Sequence, residues 1–182
     1  MSIYYPSDCT ISNANYLANC CPTKEGARIR HLFLQKTTYA FVDIEDATEW
    51  ETAIAAGNIL IIPNVRGSSD GGNWTTTEGY GDTAEETESF EETITFNDKN
   101  FLNNVANYNT LARGSGYYLG FVTATRGYVS SNAATFKPKR PISSDAKQSV
   151  TGEIEGKFVQ SEMPIPFTYP QAIFDCFRII TP

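Results

Sequence analysis

Apolar residues along this chain recur mostly at every second position, and at helical spacing in only two stretches. Residues 27–36 (ARIRHLFLQK) and 39–44 (YAFVDI) read as extended segments, and the Thr37-Thr38 pair between them predicts a hairpin. A helix is expected over 46–57. Asp46 is its cap, Glu49 completes an aspartate variant of the capping box, Trp50, Ala53 and Ile54 share one face, and Gly57 stops it. Residues 59–62 (ILII) form a short buried strand closed by Pro63. In 87–96 Phe90, Ile94 and Phe96 fall on one side of a strand, with Thr93 and Thr95 on the other. Asp98 then caps a second helix with the stripe Phe101, Val105, Tyr108 and Ala112, ended by Gly114. Residues 117–124 give the strongest core strand, with shorter ones at 128–132 and 135–137. In 150–159 Val150, Ile154 and Phe158 point inward, and Thr151, Glu153, Glu155 and Lys157 outward. Gly152 and Gly156 fall on the inward side, which marks a bend or close packing.

These elements predict a mainly β chain: a β-sandwich or related antiparallel sheets, two flanking α-helices and extended terminal arms. No βαβ alternation runs through it. The expected organisation is an N-terminal arm (1–24), a sandwich-type core (25–160) and a C-terminal apolar arm (161–182). The core carries a long loop over 66–86, and a loop of that size in a compact domain usually binds or docks onto something. Its glycines free the backbone, while Trp74 and Tyr80 supply contact area of the kind found where subunits meet. The other reading of Trp74 is a lid folded back onto the core. Met163, Ile165, Phe167 and Tyr169 make the tail a poor candidate for a lone exposed terminus. It either closes the core or lies across a neighbour, and these four residues join Trp74 and Tyr80 as the expected interface.

Charge narrows the picture. At 182 residues the chain suits one domain, and its formal charge is −7, with the acid concentrated in one region. Glu85, Glu86, Glu88, Glu91 and Glu92 are expected on an acidic solvent or lumen face. A surface that grips nucleic acid needs clustered lysine and arginine. The one basic knot, Lys137-Pro138-Lys139-Arg140, reads as a solvated extended loop, so tight DNA binding is not expected. The longest apolar run is too short to span a bilayer, so no membrane is expected. The first residues carry no signal-like pattern, which predicts folding in a cytoplasm.

Catalytic chemistry finds no foothold. The only imidazole, His31, lies inside an expected strand beside Arg30 and reads as structural. Gly114-Ser115-Gly116 follows a helix where a nucleophile elbow needs a strand. The glutamates crowd one strand rather than facing each other across a cleft. Cys9, Cys20, Cys21 and His31 match no zinc spacing, and the cysteines, Cys176 included, read as free thiols. Asp70 and Asp82 are hard oxygen donors without the spacing of a calcium loop. No catalytic residue, metal or cofactor is expected.

The order of elements over 26–160 is similar to that of small virion proteins of tailed bacteriophages, including those infecting gut Bacteroidetes: tail-tube, tail-terminator and related ring proteins. The strand pair 27–44, the capped helix 46–57, the 59–62 strand, the loop before Thr93-Ile94-Thr95-Phe96, the helix 98–114 and the strand 117–124 carry the resemblance. It is one of architecture, without a diagnostic motif. It implies a non-enzymatic structural protein of a virion tail, assembled in the host cytoplasm into a homo-oligomeric ring of hexameric or higher order. Other tail or connector proteins would be its partners, and DNA would pass without tight binding. An acidic inner wall suits that passage, while solubility before assembly is the plainer use of the same charge. The alternative function is a β-sandwich module that binds carbohydrate or a cell-surface partner through Trp74, Tyr80, Tyr117 and Tyr118.

Overall fold

The computed structural model describes residues 28–63, 65–79, 86–114, 116–142 and 151–175. The expected N-terminal arm, all four cysteines, Tyr80, Asp82 and Glu85 lie outside these residues. The described part is mainly β, with nine strands and three helices. In chain order these are β1 (His31–Lys36), α1 (Ala47–Ala55), β2 (Ile59–Ile62), β3 (Arg66–Ser69), β4 (Asn73–Thr77), β5 (Glu86–Asp98), α2 (Phe101–Arg113), β6 (Tyr117–Val122), β7 (Gly127–Ala133), β8 (Thr135–Lys139), β9 (Gly152–Gln160) and α3 (Gln171–Asp175). They form two antiparallel sheets. One has the order β2-β1-β6-β7, and in the other β3 and β4 share one edge of β5, whose other edge carries β9 and then β8.

The sheets pack face to face over one core. Leu32 and Leu34 of β1 and Leu119 and Phe121 of β6 meet Phe90, Ile94 and Phe96 of β5 and Ile154 and Phe158 of β9. The opposite face of the first sheet builds a second core, where Phe33, Ile59 and Val122 pack against Trp50 and Ala53 of α1 and Ile173 and Phe174 of α3. That sheet is therefore buried on both faces, and β1 has almost no exposed residue. Sequence alternation fades there for the same reason.

The expected hairpin of 27–44 does not form. β1 pairs instead with β2 and β6, and 39–46 is irregular chain laid over α1. Tyr39 and Phe41 pack at 5.3 Å between ring centres, and Phe41 lies 4.9 Å from Trp50. Glu49 holds this segment rather than closing a capping box. Its carboxylate accepts from the backbone N–H of Asp43 and Val42, both at 2.8 Å, and from the Tyr39 hydroxyl at 3.0 Å. Those backbone donors hold the Glu49 carboxyl below the usual range. Asp46 caps α1 as expected, accepting from the Thr48 N–H.

The second helix starts later than expected, because β5 runs on to Asp98 and Asn100 takes the cap position. Asp98 still organises the junction, accepting from Asn100 N–H (2.7 Å), Asn104 Nδ2 (3.1 Å) and the Tyr108 hydroxyl (2.8 Å). Burial, then the Asp98 contact, raises the Tyr108 hydroxyl well above its ordinary range. Tyr108→Phe leaves the buried Asp98 short of a donor and is expected to cost about 1–2 kcal/mol in a urea melt. Leu111, not Ala112, completes the buried stripe. Gly152 is required for close packing, since a Cβ there would sit 1.8 Å from Phe101 Cδ2.

The tail closes the molecule's own core. Phe167 and Gly127 exchange backbone hydrogen bonds of 2.9 Å each way, and the Tyr169 hydroxyl donates to the Thr123 and Ala124 carbonyls. Ile173 and Phe174 follow on the short helix α3, which the prolines of this stretch had hidden from the sequence reading.

Candidate functional site

The stretch expected as a long loop is largely strand. β3 and β4 lie end to end along one edge of β5: Ser69 opposes Ile94 and Asn73 opposes Glu91. Three residues, Asp70, Gly71 and Gly72, face only two on β5, which makes a bulge. Gly71 and Gly72 adopt φ of +82° and +73°, conformations that glycine takes without strain. Asp70 repairs the interrupted ladder, its Oδ1 accepting from the N–H of Gly72 (2.9 Å) and of Thr93 (3.1 Å). Its carboxylate is thus committed to the turn. Among the described residues no group of three or more histidine, cysteine or acidic side chains is placed to hold a metal ion.

β5 pairs with β9 only from Phe90 onward, whereas its pairing with β4 continues to Glu86. The first four residues of β5 and most of β4 therefore leave the sandwich as a two-stranded ribbon. All five residues of β4 are exposed, and Thr77 donates to Glu88 across the ribbon at 2.7 Å. Trp74 stands at the base, directly opposite Phe90, with ring centres 5.1 Å apart. It is half exposed, at 48%. Trp74 leans on Phe90 and leaves about half its surface to solvent, so it covers the core only in part, as a partial lid.

The other expected interface residues separate. Met163 and Ile165 are exposed, while Phe167 and Tyr169 are buried in the second core. Their assignment to an intermolecular surface is corrected: apolar side chains already buried within their own chain have no area left for a neighbour. Leu102, Ile142 and Val42 are further large exposed apolar side chains, scattered over the described surface.

The acidic face is also corrected. β5 alternates, so Glu92 shares the inward side with Phe90 and Ile94 and is buried, while Glu91 faces out. Glu91 is matched by Lys157 at 2.6 Å. On the same outer face Lys137 reaches Glu155 at 3.5 Å, and Lys139 reaches both Glu155 (3.5 Å) and Glu153 (3.7 Å). The Lys137–Arg140 knot is thus strand rather than loop over its first three residues, and its lysines are neutralised by β9. Among the described residues Glu88, which accepts from Thr77, has no cationic partner.

His31 is buried in β1 with its ring centre 5.7 Å from Phe174. Of the aromatic residues considered for sugar stacking, Tyr117 packs against the first core and Tyr118 is half-buried. Among the described residues no helix is long and apolar enough to cross a membrane. Compared with protein-family models, with curated proteins and with solved structures, the chain matches none.

Proposed function

We propose that this chain is a non-enzymatic structural subunit that assembles with copies of itself into a ring or tube, of the kind that builds a bacteriophage tail. The observation that carries this reading is the projecting ribbon of β4 and the start of β5. An exposed two-stranded ribbon is marginal in water on its own, and packing against another chain is a means of stabilising it. Here it also presents Trp74 at its base and four threonine or asparagine side chains along β4, a surface suited to docking rather than to catalysis. Met163 and Ile165 supply additional exposed apolar area on the segment after β9. Tail or connector proteins are the further partners this reading expects.

Passage of DNA through such an assembly fits the charge pattern in a revised form. The outer face of the second sheet has its lysines matched to glutamates, so among the described residues that face offers a polyanion no free basic patch to hold it.

Tryptophan fluorescence tests the reading without any substitution. Trp50 is fully buried and Trp74 half exposed, so quenching by acrylamide reports chiefly on Trp74. The quenching constant is expected to fall about two-fold or more as protein concentration rises and Trp74 is covered, by general interface burial. A constant that does not change across the range in which particles form would remove the ribbon base from the interface.

A further inference from the structure

A cavity of about 290 Å³ opens between the sheets beside the Asp70–Gly72 bulge. Ser69, Phe90, Glu92, Phe121 and Tyr128 line it, and Met163 stands among the remaining wall residues. Its size is at the low end for small-molecule sites, roughly 300 Å³ and upward, which suits a group of a few heavy atoms.

Glu92 is the unusual member. It is 6% exposed, yet it sits on the core face of β5 where an apolar residue would continue the pattern of Phe90, Ile94 and Phe96. The Ser69 hydroxyl donates to Glu92 Oε1, and no lysine, arginine or histidine among the described residues pairs with it. Burial holds its carboxyl above the usual carboxylate range. The Ser69 hydrogen bond opposes that shift and the nearby Asp70 charge adds to it. A buried acid without a counter-charge costs stability, and a carboxyl perturbed by burial at the wall of a cavity is a candidate binding group. The walls fit the same ligand. Phe121 and Tyr128 stack at 4.9 Å, Phe90 lies alongside Glu92's face of the strand, and aromatic faces attract cations.

We propose that this cavity binds one organic cation, an alkylammonium or guanidinium group, with Glu92 as its counter-charge and Phe90, Phe121 and Tyr128 as its walls. The proposal stands apart from ribbon-mediated assembly, because the site is formed within one chain. Two sources present this chemistry: a free small amine, or the lysine or arginine side chain of a second copy.

The test titrates full-length protein with butylammonium and methylguanidinium chloride, with butanol and methylurea as uncharged matches, at constant ionic strength. Binding is followed by protein-observed NMR. The cations are expected to bind about tenfold or more tighter than their uncharged matches, and Glu92→Gln to lose at least that factor. Glutamine keeps the size and the acceptor for Ser69, so the fold survives, and a melting curve at least as high as the wild type's verifies this. Equal binding of butanol and butylammonium, or unchanged cation binding in Glu92→Gln, would overturn the proposal. Saturating butylammonium then separates the sources. Loss of particles on adding the cation identifies a side chain of a second copy, whereas particles that persist with the cation bound, or a monomer that binds it, identify a free amine.

Discussion

Shortening the ribbon is expected to convert an assembling protein into a folded monomer. Trp74 and Phe90 face each other in the ladder, so replacing residues 75–89 by Asn-Gly joins them through a two-residue turn whose twist suits a hairpin. The described residues removed by this change belong to neither hydrophobic core, and pairing of β5 with β9 begins only at Phe90. The sandwich should therefore melt within about 1 kcal/mol of the wild type, as surface changes usually do. Assembly should fail outright, because the removed segment holds the exposed strand surface through which copies are proposed to meet. Sedimentation velocity of the variant and the wild type at equal concentration reads this directly. If the shortened protein sediments as the same particle, the ribbon is not the joint.

The second large effect is expected at Gly120, in the middle of β6. Gly120 opposes Phe33 in the ladder, and the Phe33 ring lies over it: an added Cβ would meet Phe33 Cζ at 2.0 Å and both Cε atoms at 2.3 Å. Phe33 has no room to retreat. It is fully buried, with its ring centre 5.0 Å from Trp50 and 6.4 Å from each of Phe167 and Phe174. Gly120→Val therefore forces either the ring or the central strand to move. A loss of about 3 kcal/mol or more is expected, at the upper end for overpacked cores. Urea unfolding followed by circular dichroism measures it. Gly120→Ala combined with Phe33→Leu should recover part of the loss of Gly120→Ala alone, a coupling that identifies the contact itself. A Gly120→Val protein as stable as the wild type would mean that this ring does not sit on the glycine.

What the sequence revealed of this fold follows from how each strand is buried. β9 was legible because one face is buried and the other wet, so Ile154 and Phe158 alternate with Glu153, Glu155 and Lys157. Its two inward glycines announced close packing, and Phe101 and Leu119 are what press on Gly152 and Gly156. The 39–44 stretch misled because Tyr39 and Phe41 are aromatic at strand-like spacing, but they and Ile44 are spent on covering α1. Nothing local distinguishes a strand from irregular chain clamped by a distant glutamate. β3 and β4 were hidden by composition. Glycine, serine and threonine left Trp74 as their one large apolar residue, too little to show a period, and their pairing is supplied by β5 some twenty residues later in the chain.

The site was legible in part. Trp74 was singled out together with Tyr80, and the structure places Trp74 at the ribbon's base, while Tyr80 lies outside the described residues. The position of Glu92 was available from parity alone, since residues 90, 92, 94 and 96 share a face of one strand. Counting charges along 85–92 obscured it, because a cluster in sequence is divided between two faces in a strand. Phe167 and Tyr169 lay beyond sequence reasoning, for an apolar tail reads the same whether it covers its own core or a neighbour's.

Self-assembly is read from the mass of the particle in solution. Light scattering on the size-exclusion peak of the full-length protein, with negative-stain images of the same fractions, gives both mass and shape. Rings or tubes with a mass several times that of the 20.1 kDa chain are expected. A single species of 20.1 kDa at every concentration would contradict self-assembly.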